Sequence, residues 1–383
     1  MSLEATAIIL FWVSLGLVFW TYFGYMLFLQ FVSAILTKAV KKDDDFLPPI
    51  SIIITAYNEE SRIKAKIDNT LELDYPEDKM EIIVVSDGST DRTDEIVQGY
   101  ARRGVKLLRI PERRGKHYGQ GQGVEKSANE LLVMTDATTF VWRESVKKMI
   151  RNFADPSIGC ISGMDFMKDA RSAGSGEGLY VQYEMSLREL ESACGSLVGV
   201  SGCFYAIRKE ICEGWINDKS SDFYLPIFAQ MKGYRTILEE QAQCYYEVLA
   251  DPKKEFRRKV RTVVHGLEVL LAFKKVLNPF RFGLYSLQMF SHKLSRWLVP
   301  IYLIVLFFAN LALIKSGTFY LVFFILQSAF YLIALITVLS SRIQNLPVLK
   351  VPFFFVVFNY AILVAIYEYI TKKEYILWEP TKR

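Results

Sequence analysis

The chain of 383 residues is long enough for one sizeable soluble domain and a helical membrane part. With 51% hydrophobic residues it is too apolar for a disordered chain, and it has no heptad repeat that would indicate a coiled coil. The net charge of +5 is too small to indicate nucleic-acid binding, but it suits a protein near anionic lipids or phosphorylated substrates. Five cysteines without a CxxC pair and three scattered histidines favour reduced thiols over a zinc site.

Four apolar segments are long enough to cross a bilayer, which requires about 20 apolar residues. They cover residues 6–36, 297–314, 318–339 and 352–370. The first segment has neither a leading basic region nor a clear small-residue cleavage site, so we expect a retained helix and not a signal peptide. Because Lys38, Lys41 and Lys42 follow it and only Glu4 precedes it, the positive-inside rule predicts a cytosolic domain after it. Basic residues near the C-terminus also favour the cytosol, although four crossings would place that end outside.

Between the first two apolar segments, short β-branched runs alternate with helical stretches. The runs predict strands at 51–55, 81–85, 106–109 and 131–134, with helices at 58–71 and 90–102. Such short links predict parallel strands joined by right-handed crossovers, and hence an α/β sheet. Further along, we predict strands at 158–163 and 198–207 and helices at 178–192, 223–230 and 253–273.

Residues 280–296, before the second apolar segment, mix aromatic and basic side chains. This pattern favours an amphipathic helix that lies in the membrane interface, although the same residues could simply begin the next span. The sequence thus predicts an N-terminal membrane helix, a cytosolic domain, this interfacial helix and a C-terminal membrane region. The corresponding ranges are 1–40, 41–279, 280–296 and 297–383.

Polar residues follow the predicted strands, where an open parallel sheet binds its ligands. Tyr57 comes after the first strand and offers a ring on which a nucleotide base could stack. Asp87 follows the second strand and could accept a hydrogen bond from a ribose hydroxyl or a base N–H. Asp136 follows the fourth strand and could hold Mg²⁺ or Mn²⁺ together with a substrate diphosphate. Taken singly, each motif also fits an ordinary helix start or turn.

Three further motifs carry charge. Lys116 belongs to a basic turn around Gly115 that could clamp phosphate oxygens, or that could be an ordinary solvated turn. Asp222 lies at a predicted helix start, as either an N-cap or a general base that takes a proton from an incoming hydroxyl. Arg258 and Arg261 are three residues apart on one helix face, so both could reach one diphosphate or attract lipid headgroups.

In chain order, these six motifs resemble those of the membrane-bound enzymes of glycosyltransferase family two. That family includes the synthases of cellulose, chitin, hyaluronan and bacterial exopolysaccharides. The resemblance covers residues 51–271 and extends to the membrane arrangement that follows. It implies a GT-A fold, which is a Rossmann-like α/β domain, together with a UDP-sugar donor, a divalent cation (Mg²⁺ or Mn²⁺) and inversion at the anomeric carbon.

Positions that match the family's motifs acquire roles by the same resemblance. It implies that Asp222 is the catalytic base and that Asp136 belongs to the metal site. The implied donor-binding residues are Tyr57, Glu59, Asp87, Lys116, Asp136, Arg258 and Arg261. The implied turn on the acceptor side consists of Ser201, Gly202 and Cys203.

The chain departs from the family pattern at three motifs. Thr138 replaces the second acid of the DxD motif, so a metal would depend more on phosphate oxygens. Ser221 replaces the acid that precedes the catalytic aspartate. Residues 258–262 replace the QxxRW motif and lack the tryptophan that flanks the acceptor sugar in the synthases, which argues against long-chain processive polymerisation.

The sequence therefore predicts an inverting glycosyltransferase of an inner membrane, with several spans, that acts in polysaccharide or glycolipid assembly. Its acceptor would be a membrane-associated glycan or a lipid-linked molecule. Membrane lipids and subunits of a polysaccharide export system are the partners to consider, and nucleic acid is not expected. Two alternatives stay open: a processive synthase that also extrudes its polymer, and a non-catalytic nucleotide-binding scaffold.

Overall fold

A mixed sheet lies at the centre of the computed structural model, which describes residues 2–167, 176–246, 252–339 and 347–372. The strands are β1 Ile50–Ala56, β2 Met80–Asp87, β3 Val105–Ile110, β4 Leu131–Asp136, β5 Thr139–Val141, β6 Ile158–Met167, β7 Phe204–Arg208 and β8 Arg235–Tyr246. Their order in the sheet is β3-β2-β1-β4-β7-β6-β8-β5. The first four are parallel neighbours, whereas β7 runs antiparallel to β4 and β6 and β5 runs antiparallel to β8.

Both faces of the central strands are buried, and successive residues point to opposite faces. Ile53 and Met134 belong to a hydrophobic cluster on one face. Ile52, Ile54 and Val133 belong to a second cluster on the other face. The apolar runs in the sequence follow from this double burial, so the polar residues of these strands are concentrated at their ends.

The helices pack around the sheet and continue into the membrane-length part of the chain. In chain order they are α1 Leu3–Phe19, α2 Tyr25–Ile35, α3 Ile63–Leu71, α4 Thr93–Gln98, α5 Lys116–Lys126, α6 Ser145–Ile150, α7 Gly176–Cys194, α8 Ser221–Met231, α9 Pro252–Ala272, α10 Pro279–Phe282, α11 Leu284–Gln288, α12 Ser295–Leu313, α13 Thr318–Leu339 and α14 Pro347–Ile370. Helix α1 packs on α12, and α14 packs on both α13 and α9. The apolar helices therefore contact the sheet domain through α9.

Among the described residues, four helical stretches are long and apolar enough to cross a membrane. They are Leu3–Ile35, Leu284–Leu313, Thr318–Thr337 and Val351–Ile370. The second stretch is continuous because α11 and α12 are joined by a π-helical segment, Met289–Leu294. The helix predicted over 280–296 is thus divided between α10 and the first turns of this long helix, and it is not a separate element.

Four predicted strands correspond to β1 through β4, and their parallel pairing agrees with the predicted α/β sheet. The predicted strand at 198–207 was wrong in its first half, because β7 begins at Phe204. Residues before it form a loop in which Val200 N–H donates to the carbonyl of Asp222 and Ser201 N–H donates to Ser162 Oγ. Strand β8 was missed because charged and amide residues at 239–241 interrupt its apolar pattern.

One helix boundary differs from the predictions, and one helix was not predicted. The helix predicted at 58–71 begins only at Ile63, because Asn58 has a positive φ of 51° and its Oδ1 accepts from Thr90 N–H at 2.8 Å. Helix α5 was missed because its glycines disfavour a helix. One of them allows close packing on the sheet, since a Cβ on Gly123 would lie 2.6 Å from Ile53 Cγ2.

Candidate active site

The carboxyl ends of β1, β2 and β4 lie at one edge of the sheet. Thr55 of β1 pairs with Asp136 of β4, and Ala56 of β1 pairs with Ser86 of β2. These three strands therefore end at the same level. The two predicted acids at this edge, Asp87 and Asp136, are the last residues of their strands.

Asp87 holds the basic turn that follows β3. Its Oδ1 accepts from the backbone N–H of Arg114 at 2.8 Å, and its Oδ2 accepts from that of Gly115 at 2.7 Å. Gly88 permits this close approach, because it has a φ of +67° and a Cβ there would lie 2.6 Å from the backbone N of Arg113. Both carboxylate oxygens thus have protein partners, whereas the sequence suggested a ribose or a base.

Replacing Asp87 by alanine is expected to lower the free energy of unfolding by about 3 kcal/mol, because two N–H groups lose a charged acceptor. The carboxylate is 5% exposed, so water replaces it poorly. Thermal unfolding of the full chain in detergent measures the effect. The control Asp78→Ala changes an exposed residue and should leave the midpoint temperature nearly unchanged. Equal midpoints for the two variants would contradict this account of the turn.

Tyr57 stacks against the guanidinium of Arg113, whose Cζ lies 3.9 Å from the ring centroid. Arg113 Nη2 is buried and has no hydrogen-bond partner among the described residues. A nucleotide base at this edge would therefore meet a Tyr57–Arg113 pair and not a bare ring. Glu59 is buried and lies 3.6 Å from Arg62 Nη1, which gives this carboxylate a partner within the protein.

Lys116 links two of the predicted motifs. Its Nζ lies 2.6 Å from Asp136 Oδ1 and donates a hydrogen bond to the carbonyl of Gly202 at 2.7 Å. Burial alone would lower the pKa of Lys116, but Asp136 and then Asp222 raise it above its ordinary value. The ammonium group is therefore charged at neutral pH and is within electrostatic range of both acids.

Asp222 lies in the first turn of α8 and faces Gly202, the residue whose carbonyl Lys116 contacts. Ser220 Oγ donates to Asp222 Oδ1 at 2.6 Å. Asp222 Oδ2 lies 3.1 Å from the position that a Cβ on Gly202 would occupy. Gly202 thus contacts Asp222 with its α-carbon side and Lys116 with its carbonyl. The predicted base and the predicted metal ligand, Asp136, are brought together around one glycine.

Two histidines that received no role from the sequence lie beside these acids. His117 Nδ1 accepts from the backbone N–H of Ser221 at 3.4 Å, and its ring centroid lies 6.3 Å from that of His265. Burial lowers the pKa of His117 to about 4, and the charge of Asp222 opposes this shift. The imidazole is therefore neutral near pH 7. The separation of the two histidines along the chain concealed their contact.

When the pH falls from 7 to 5, we expect the depressed pKa of His117 to lower the free energy of unfolding by about 2 kcal/mol. The pKa is about 4 in the fold against an ordinary 6.5, so this stabilisation is complete above 6.5 and is lost as the pH falls toward 4. His117→Asn removes the titrating group and should show a smaller drop in midpoint temperature between these pH values. An identical drop in both proteins would exclude His117 as the cause.

Lys66 supports the loop around Asp136 and is fully buried. Its Nζ donates to Thr135 Oγ1 at 2.9 Å and to the carbonyl of Thr139 at 2.6 Å, on either side of the acid. Burial lowers the pKa of Lys66 to about 8, and the charge of Asp136 opposes the shift. The sequence contained a signal for this residue, namely a lysine on the apolar face of an amphipathic helix.

The predicted acceptor-side turn is held by a half-buried carboxylate, that of Asp165. Ser201 Oγ donates to Asp165 Oδ1 at 2.6 Å. The thiols of Cys203 and Cys244 and the carboxylate of Asp165 lie within 4.8 Å of one another. The cysteines are scattered along the chain, and their spacing did not predict this contact.

Arg258 and Arg261 lie on the helix that borders the site. Arg258 Nε and Nη2 donate to the two carboxylate oxygens of Glu255, at 2.8 and 2.6 Å. Arg258, Arg261 and His265 follow one another on a single face of α9 by their spacing. Since His265 contacts His117, this face is directed toward the site, although Arg258 is bound to Glu255.

Asp136 suits a divalent cation. Its Oδ1 lies 2.6 Å from the ammonium nitrogen of Lys116 and forms an ion pair with it. Mg²⁺ and Mn²⁺ prefer such oxygen ligands and are commonly held by one or two carboxylates together with substrate phosphates. A cation at this carboxylate would share it with Lys116 or displace the ammonium group.

The profile of a family described as Glycosyl transferase family 2 matches residues 51–215, which carry most of these motifs. These residues are a family 2 glycosyltransferase domain. The poly-beta-1,6-N-acetyl-D-glucosamine synthase of Staphylococcus aureus (strain COL) is 27% identical over 293 residues, which are 74% of this chain and 70% of the synthase. A synthase of the same name from Staphylococcus epidermidis is 25% identical over 259 residues, covering 65% of this chain and 62% of that protein. The chain is a glycosyltransferase similar to exopolysaccharide synthases.

The glycosyltransferase also shares its fold with a solved structure. The mannosyltransferase PcManGT from Pyrobaculum calidifontis, in complex with GDP-Man and Mn²⁺, matches with a TM-score of 0.72 and 21% identity, over 97% of this chain and all of that one. The predicted GT-A fold is therefore confirmed. Because the match covers nearly the whole chain, it includes the apolar helices as well as the sheet.

Proposed function

We propose that this glycosyltransferase moves a sugar from a UDP-sugar to a membrane-associated glycan or lipid-linked acceptor, with inversion at the anomeric carbon. One observation carries the proposal, namely that Asp136, Lys116 and Asp222 surround the backbone of Gly202. A direct displacement needs three groups. One is a ligand for the metal ion bound to the diphosphate, another is a cation that stabilises the leaving group, and the third is a base for the acceptor hydroxyl. These three side chains supply groups of those kinds.

On the donor side, we propose that the uracil lies against the Tyr57–Arg113 pair. The diphosphate would lie near Lys116 and Asp136, with Mg²⁺ or Mn²⁺ held by that carboxylate and by phosphate oxygens. A bound cation would supply charge neutralisation to the diphosphate. Asp87 would act through the turn at Arg114 that it holds in place. The turn and its acid would therefore shape the donor pocket together.

On the acceptor side, Asp222 would accept the proton of the acceptor hydroxyl as its oxygen forms a bond to the anomeric carbon. The bond between that carbon and the diphosphate breaks, UDP leaves with the electron pair, and Lys116 stabilises the charge on the leaving group. Attack on the face opposite UDP inverts the configuration.

We propose N-acetylglucosamine as the first sugar to test, since that sugar is part of the names of the bacterial relatives. Purified protein would be given UDP-N-acetylglucosamine, UDP-glucose, UDP-galactose or GDP-mannose, each with Mn²⁺, with Mg²⁺ or with EDTA. The expected result is UDP release from one UDP-sugar that requires the metal. If no nucleotide-sugar released its nucleotide under any condition, the scaffold alternative would replace this proposal.

Processive polymerisation is the second candidate. It is favoured because the staphylococcal relatives are named as synthases of a polymer, poly-beta-1,6-N-acetyl-D-glucosamine. The altered residues at 258–262 favour a single addition. Sizing the radiolabelled product made from the active donor distinguishes the two. A long ladder supports the processive synthase, whereas one discrete lipid-extractable band supports single transfer.

For the membrane arrangement, we propose that all four apolar helices cross an inner membrane and that the catalytic domain is cytosolic. The basic residues Lys38, Lys41 and Lys42 after the first helix support this orientation. Lys42 also forms an ion pair with Glu239 of the sheet domain at 2.8 Å, so this flank lies on the domain's side. In intact cells, a thiol reagent that does not cross the membrane should leave single cysteines in the catalytic domain unlabelled. Labelling of those cysteines would contradict the proposed orientation.

A further inference from the structure

A buried cluster of charges lies where the sheet domain meets the second apolar helix. Glu184 of α7 is its centre, with Arg296 Nη1 at 2.5 Å and His292 Nε2 at 2.7 Å. Arg188 Nε lies 3.8 Å from the same carboxylate. Burial would raise the pKa of Glu184, but His292, Arg296 and Lys293 hold it well below its ordinary value. Four basic side chains therefore surround one carboxylate.

Two of these cations are incompletely paired with anions among the described residues. Arg188 Nη1 is buried and has no hydrogen-bond partner within the described part of the chain. For Lys293, the contact seen among the described residues is the ring of Phe223, whose centroid lies 5.7 Å from Nζ. Buried or half-buried cations without an anion are unfavourable. The two groups are therefore suited to receive an anion from outside the protein.

The carboxylates of the cluster are already engaged. Glu184 is shared by Arg188, His292 and Arg296. Glu191 is already occupied, because it accepts from the Tyr25 hydroxyl at 2.6 Å and lies 2.8 Å from His292 Nδ1.

Arg188 and Lys293 face the predicted acceptor side of the active site. A Cβ on Gly199 would lie 3.8 Å from Lys293 Cε and 3.7 Å from the carbonyl of Asp222. Arg188 acts electrostatically on Asp165, which accepts the hydrogen bond from Ser201. Lys293 also belongs to the apolar stretch Leu284–Leu313, in its first third. An anion bound here would therefore lie between the membrane helix and the base.

We propose that Arg188 and Lys293 bind the phosphate or diphosphate of a lipid acceptor and so place the acceptor hydroxyl beside Asp222. The inference rests on the proposed function and specifies its acceptor. A guanidinium fork and an ammonium group together match the shape and charge of a phosphate dianion. The hydrocarbon chain of such a lipid would follow the apolar helix that carries Lys293.

The test is binding of farnesyl phosphate to the full chain in detergent, with UDP and Mn²⁺ present to fill the donor site. Farnesol and inorganic phosphate are the two comparison ligands. Arg188→Gln and Lys293→Gln are each expected to weaken binding of farnesyl phosphate about 10- to 100-fold, because a charge-assisted contact is lost. Lys293→Arg keeps the charge and should retain most of the affinity. Lys274→Gln makes the same change at an exposed lysine and is the matched control.

Equal affinity of farnesyl phosphate for wild type and both glutamine variants would overturn the proposal, as would equal affinity for farnesol. Inorganic phosphate that bound as tightly as farnesyl phosphate would indicate a site for free anions and would overturn the lipid assignment. Unchanged UDP binding in the variants shows that each is folded. Failure of the proposed function has a separate signature, which is the absence of UDP release by the wild-type protein from every UDP-sugar.

Discussion

Asp222→Asn is expected to lower kcat about 10³-fold, because a carboxamide cannot take the proton of the acceptor hydroxyl. The substitution keeps the size of the side chain and its contact with Gly202, whose Cβ position lies 3.1 Å from Oδ2. Ser220 Oγ can still donate to the remaining carbonyl oxygen, as it does to Oδ1 now. UDP binding should therefore change little. Initial rates and UDP affinity of the purified variant measure the two quantities separately.

Asp218→Asn is the matched control for this experiment. It makes the same chemical change four residues earlier, at a side chain that is 67% exposed and lies 3.7 Å from Lys219. Its rate should remain within twofold of the wild-type rate. If Asp222→Asn kept near-normal transfer, the base would have to be another group, and His265 would be the next residue to test because its ring lies 6.3 Å from that of His117.

Lys116→Met is expected to lower kcat/KM about 10²- to 10³-fold, because one preorganised cation at the leaving diphosphate is lost. The ion pair of 2.6 Å with Asp136 and the hydrogen bond to Gly202 disappear together. The two acids, Asp136 and Asp222, then lack the charge between them. A higher KM for the donor should accompany the lower kcat, since Lys116 would contact the diphosphate in both the ground state and the transition state.

Lys126→Met provides the control because it lies at the other end of the same helix. Its side chain is 60% exposed, and its nearest acid, Glu125, lies 3.9 Å away. The control should bind donor and turn over like the wild-type enzyme. A Lys116→Met variant with unchanged kcat/KM would mean that the ammonium group only neutralises Asp136 in the free protein.

The sequence predicted the sheet well because burial leaves a local pattern. Residues 52–55 and 82–85 are continuous β-branched runs, which double burial in parallel strands favours. It also predicted that Asp87 and Asp136 would stand at strand ends, since polar residues directly follow those runs. Such inferences use neighbours in the chain, and the structure places both residues at one edge of the sheet.

The partners of those residues could not be predicted, because they come from distant parts of the chain. Asp87 receives its two hydrogen bonds from a turn after the next strand. Lys116 meets the carbonyl of Gly202, and His117 meets His265, through folding of the whole domain. Helix α5 illustrates a second limit. Its glycines oppose a helix by propensity, yet the sheet beneath Gly123 leaves no room for a side chain.

The most direct test of the account is an experimental structure of the full chain with UDP and Mn²⁺. The account predicts the uracil against Tyr57 and Arg113, the diphosphate and the metal beside Asp136 and Lys116, and Asp222 facing the side from which the sugar would be attacked. A diphosphate bound away from Asp136, or Asp222 turned away from the bound nucleotide, would contradict it.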